Sequence, residues 1–227
     1  MIQTFDKQRL TKNLESLSAN ARIAFAAACA QRLAPTFRVG EEAWNWSGLS
    51  AHLHEILNQC WSLAQNPDDE AARVGLAAID VTYLVPDADD SDLGGYRLFM
   101  FPPIGTLEPA ISCAIDPTAE RAAYTAQKEY DAAFGIADWG LPASSVWKGV
   151  AAEEAIAAGE QRLQRQRSHP IVQSCLRFQQ ESLEFVTKVN LADHQVLSSL
   201  QKKADDDGQT FLKIAMELYP RREPTTS

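Results

Sequence analysis

Most of the signatures that announce chemistry are missing from this 227-residue sequence. It has only four cysteines, Cys29, Cys60, Cys113 and Cys175, with no Cys-x-x-Cys pair, which removes the common zinc and dithiol motifs. They read as small buried apolar side chains in a reducing compartment. Glycine is scarce, and none of the 11 builds a phosphate-cradling loop or a nucleophile elbow. His52 and His54 stand two residues apart on a predicted helix, about 200° around it, so they cannot share a metal. The most apolar run, Ile23 to Ala30, is too short to span a bilayer, and Met1 to Lys7 lacks the apolar core of a signal peptide. A cytoplasmic location is expected. Positive charge is in deficit, 21 Lys and Arg against 30 Asp and Glu. The net charge of −9 sets the chain against nucleic acid and anionic membranes, and favours a basic partner. No cofactor or metal is expected.

What the sequence has is helix. At 45% hydrophobic and 22% charged it is long enough to bury a real core. Ser168 to Gly208 carries the longest periodic signal: Ile171, Cys175, Phe178, Ser182, Phe185, Val189, Ala192, Val196 and Ser199 step by four and three along one stripe. Pro170 suits its first turn and Gly208 its stop, with a break near Asn190 to Asp193 left open by its length. Earlier in the chain, Thr4 opens an amphipathic helix with Leu10, Leu14 and Leu17 inward. Ala21 to Ala34 is apolar nearly all round and reads as a central buried helix ended by Pro35. Thr36 to Ser47 reads as a connector, followed by a helix from Gly48 to Gln65. Asn66-Pro67-Asp68-Asp69-Glu70 opens another, running to Leu84. Asp116-Pro117 opens a helix to Phe134, ended by Gly135, and further helices are expected over Val146 to Gln166 and Gln209 to Tyr219.

The fold class that follows is all-α: a compact multi-helix bundle around one long C-terminal helix, with an extended or short β-like insertion near 96–108. That insertion rests on Leu98-Phe99-Met100-Phe101 bounded by Pro102-Pro103 and Gly105. Residues 1–219 are expected to form one domain and 220–227 a loose tail.

Two groups of residues are candidates for partner binding. One is the acidic loop with Asp87, Asp89, Asp90 and Asp92. Its oxygens begin like a calcium loop, but Asp92 stands where glycine is needed and Leu98 where a bidentate glutamate is needed. The other is a set of aromatics assigned to loops: Trp44, Trp46, Phe99, Phe101 and Trp139. Arg162, Arg165 and Arg167 form the one basic cluster, read as ion-pairing with the protein's own acids.

Short strings along the chain carry a family resemblance. Phe25 to Pro35, Trp61, Pro86 to Asp92, Pro109 to Cys113, His169 to Phe178 and Leu197 to Phe211 resemble the YjaG-like bacterial proteins, domain of unknown function family 416. The resemblance implies an all-helical intracellular fold of unsettled activity, associated with signalling proteins, with no catalytic residues to transfer. It also implies a helical Pro109 to Cys113. Residues 93–108 and 136–145 depart from the family pattern as additions.

Function is therefore expected to lie in protein–protein binding without catalysis, in signalling or as an immunity or inhibitor protein. Two alternatives stand beside it. A structural homo-oligomer is one. The other is a magnesium-dependent phosphohydrolase using Glu181 and Glu184 with Asp89 or Asp92. Against the hydrolase, Arg177 and Lys188 stand four residues from Glu181 and Glu184, the spacing of ordinary helix-surface ion pairs.

Overall fold

The computed structural model describes residues 2–43, 45–84, 97–139, 152–191 and 193–218. Along them run α1 (Lys7–Glu15), α2 (Ala19–Gln31), α3 (Ala34–Ala43), α4 (Leu49–Gln65), α5 (Glu70–Ala77) and a 3-10 turn (Val81–Leu84). There follow α6 (Arg97–Ile115), α7 (Ala119–Trp139), α8 (Ala152–Ser168), α9 (Pro170–Lys188) and α10 (His194–Leu218). No strand occurs among the described residues, so the architecture is an all-helical bundle.

Helix α2 is its centre. Ser18 caps it by accepting the Ala21 N–H, and every residue from Ile23 to Gln31 is buried. Its alanines carry only a methyl group each, which lets α4, α6, α7, α9 and α10 all pack against it. The predicted stop at Pro35 is also a start. Pro35 lies in the first turn of α3, where a missing N–H costs nothing, so the expected connector is helical to Ala43.

Helix α4 follows on Gly48, whose φ of 93° only glycine adopts cheaply and which offers no side-chain cap. Glu41 supplies the cap instead. Its Oε1 accepts the N–H groups of Leu49 (2.7 Å) and Ser50 (3.3 Å), although it lies eight residues upstream. Glu41→Ala is expected to lower stability by about 1–2 kcal/mol, read by urea unfolding, with Glu41→Gln in between.

Four further expectations need correction. The helix opened by residues 66–70 is capped by Asp69 and stops at Ala77, because Asp80 accepts both the N–H and the hydroxyl of Thr82 and restarts the chain as a 3-10 turn. The extended segment at 97–108 is instead the start of α6, despite Pro102, Pro103 and Pro109 within it. Met100, Ile104, Leu107, Ile111 and Ala114 recur at steps of four and three and are all buried. Burial of that stripe outweighs the ladder bonds the prolines cannot make. The implied helix at Pro109 to Cys113 is part of it. Gly135 does not end α7, which continues to Trp139.

The last correction concerns the organising stretch. The break left open near residue 190 is real: α9 ends at Lys188, and Asp193 accepts the Gln195 N–H at the start of α10. Gly208 is not a stop but lies inside α10, where that helix crosses the α2–α3 junction.

Candidate functional site

At the end of α2 the apolar interior gives way to a buried polar centre. Arg32 is 0% exposed and meets Glu129 of α7, also 0% exposed, through two parallel bonds: Nε to Oε1 at 2.6 Å and Nη2 to Oε2 at 2.9 Å. Arg32 Nη1 donates to Ser182 Oγ of α9 at 3.0 Å. Gln179, one turn before Ser182, donates from Nε2 to Glu129 Oε2 (3.0 Å) and to the Ala126 carbonyl (2.8 Å). The fork of the guanidinium thus ties α2, α7 and α9 together at one point. Burial acts to strip the proton from Arg32, but the charge of Glu129, assisted by its hydrogen bond, outweighs it and holds the pKa above its usual value.

Two thiols border this centre. Arg32 Nη2 lies 3.3 Å from Cys29 Sγ, and Gln179 Nε2 lies 3.5 Å from Cys175 Sγ. Burial first, and then the negative charge of Glu129, push both thiols well above the usual range. Cys60 and Cys113 are pushed up to about 12, mainly by burial. All four are free, buried and protonated at neutral pH, and a protonated thiol is a poor nucleophile. An unfolded chain ionises these thiols near 9, while the folded chain keeps its protons. Native protein therefore binds more protons above that point, and stability falls as pH rises from 9 towards 12. Each thiol adds up to about 1.4 kcal/mol per pH unit. Urea midpoints across that range check the slope, and Cys60→Ala should flatten it.

The expected site residues do not converge. Asp87, Asp89, Asp90, Asp92 and Trp44 lie outside the described residues. Trp46 is half-buried against the core. Phe99 and Phe101 stand on α6 and not on a loop: Phe99 is among the largest fully buried side chains, and Phe101 is half-buried. Trp139 differs, being 56% exposed at the end of α7. Glu181 and Glu184 are held in ion pairs, with Lys203 at 2.7 Å and Arg177 at 3.9 Å for the first, and with Lys188 at 3.6 Å for the second. No cluster of three metal-ligating side chains occurs among the described residues.

Trp139 is one of several large apolar side chains that stand exposed among the described residues, with Val74, Tyr83, Ile156 and Leu163. Asp138 beside it accepts from Arg162 Nε at 2.6 Å and from Gln166, which fastens the end of α7 to the C-terminal half of α8. The expected ion-pairing of the arginine cluster is met in Arg162. On α8, Ile156 is 63% and Leu163 44% exposed. Only Gln166 is buried among the α8 side chains described, so the helix rests on α7 and α9 by a narrow strip.

Fold and interior define a class: an all-helical bundle locked by a buried arginine–glutamate pair. The chain belongs to the DUF416 family, a protein family of unknown function whose pattern it matches over residues 9–215. Its fold is similar to the crystal structure of a DUF416 family protein from Shewanella baltica OS155, with a TM-score of 0.61 at 14% identity, covering 90% of this chain and 95% of that one. No curated protein matches. No helix among the described residues is long and apolar enough to cross a membrane.

Sequence reasoning passed over Arg32 and Glu129, yet both left a signal. Arg32 interrupts the apolar run from Phe25 to Pro35, and Glu129 falls on the small-residue face of α7 between Ala126 and Ala133. A charge on an apolar stripe calls for a partner of opposite sign. Which two charges meet is set only by helix packing.

Proposed function

We propose that this protein works by binding another protein through the edge formed by the end of α7 and the outer face of α8. The observation that carries this reading is the exposure of Trp139 at the end of α7 and of Ile156 and Leu163 on α8, two helices that Asp138 and Arg162 tie together. Exposed apolar groups rimmed by charge are what a docking partner covers. Here the exposed Glu160 and Arg167, each four residues after one of the two apolar residues, flank Ile156 and Leu163 on the same face of α8. The thiols and the arginine–glutamate pair of the interior serve stability in this reading.

The test is a photo-crosslinking amino acid placed at Leu163 in cells of the source organism, with Lys213 on α10, an exposed polar position, as control. A discrete adduct at residue 163 and none at 213 is the expected result. No adduct at either position overturns the reading.

A further inference from the structure

Residues 2–6 lie as a strap along the groove between α1 and α9, and we infer that release of this strap is the gate through which solvent and small solutes reach the buried centre around Arg32 and Glu129. The strap forms no helix, and of its side chains only Phe5 is partly buried. Few contacts hold it. The amide of Gln173 on α9 takes the backbone of Gln3 by both its polar groups: Oε1 accepts the Gln3 N–H at 3.0 Å, and Nε2 donates to the Gln3 carbonyl at 2.9 Å. The second hydrogen of Nε2 goes to the Arg167 carbonyl at the end of α8 (2.7 Å), which uses up the amide's donors. Two residues beyond Gln3, Phe5 stacks on Tyr130 of α7 with ring centroids 5.1 Å apart and planes at 17°. Asp6 then fixes the chain as the cap of α1, accepting the Arg9 N–H at 3.0 Å.

Beside the strap is a groove of about 610 Å³, lined by residues 2–6, by α1 and by Leu176, Gln179, Gln180 and Leu183 of α9. Gln179 links it to the interior. That side chain is only 5% exposed, and its Nε2 lies 3.0 Å from Glu129 Oε2 and 3.5 Å from Cys175 Sγ. One side chain therefore separates the groove from the buried polar centre. Phe5 and Tyr130 close the approach from the strap itself, since both pack against the apolar cluster that contains Ile171, Val172 and Cys175. Cys60 and Cys113 belong to a different apolar cluster and do not line the groove.

Two hydrogen bonds at an exposed edge and one aromatic stack hold far less free energy than the packed helices, so the strap opens locally while the bundle stays folded. Release bares Cys175 first. A thiol kept dry and protonated in the closed protein reacts from the open state, so its labelling rate reports how often the strap is released.

Site-resolved alkylation of the full chain with N-ethylmaleimide, read by peptide mass spectrometry, is the test. Gln173→Leu removes both bonds to Gln3 and should raise the Cys175 rate about tenfold. Phe5→Ala removes the stack and leaves Gln173 in place, and it should raise that rate by a similar factor. In both variants Cys60 and Cys113 should stay within about twofold of their wild-type rates. General loosening of the fold would speed these thiols along with Cys175, so a parallel rise at Cys60 and Cys113 overturns the gate. A Cys175 rate left unchanged by either variant overturns it as well.

Discussion

Arg32→Met lowers the free energy of unfolding by about 3–5 kcal/mol in urea denaturation, the largest loss expected of any single substitution in this protein. The substitution keeps most of the side-chain volume, so packing is not what is lost. It leaves the Glu129 carboxyl 0% exposed and short of both bonds from the guanidinium, with Gln179 still donating to it. Ser182 loses its donor at the same time. Glu129→Leu leaves the opposite charge stranded and costs a similar amount. The double variant Arg32→Met, Glu129→Leu removes both charges together and costs well below the sum of the two. That shortfall is the coupling between them, and a purely additive result would show that the pair does not act as a unit.

Gly208→Ala is the second large effect, and its sign runs against helix propensity. Exchanging glycine for alanine inside an exposed helix gains about 0.5–1 kcal/mol. At 208 the added Cβ would stand 2.8 Å from the Arg32 carbonyl oxygen and 3.1 Å from both the Arg32 Cα and the Pro35 Cγ. Two of those three atoms are backbone, at a point where the guanidinium of Arg32 is already fixed by Glu129 and Ser182, so α10 must move outward. Overpacking of this kind costs about 1–3 kcal/mol. Gly135→Ala is the control, because a Cβ there meets nothing within 4 Å, and it should stabilise α7. If thermal melts show both variants gaining stability, the close approach of α10 to the α2–α3 junction is wrong.

These two effects share a location that local patterns could not reveal. The helical character of α2, α4, α9 and α10 was legible because each keeps a periodic apolar stripe and a recognisable cap or break. Local signals misled where tertiary burial overrode them. Pro102 and Pro103 argued for an extended chain at the start of α6, yet its buried stripe kept it helical. Pro35 looked like an end and also begins α3. The aromatics show the same limit from the other side. Trp139 and Phe99 are both large apolar residues next to proline or glycine signals, and only packing decided that one faces water while the other fills the core.

The sequence by itself determined that this chain would be helical and acidic, with a central alanine-rich helix and without a recognisable catalytic motif. Periodicity, caps and charge are properties of neighbouring residues, so they can be read along a line. Tertiary structure alone decided that Arg32 would find Glu129, 97 residues away, that Gly208 would admit a crossing helix, and that Glu41 would cap α4 from a different helix. It also left Ile156 and Leu163 exposed on α8. Each of these depends on which helix faces which at a separation of a few ångströms, a relation that exists only once the chain has folded.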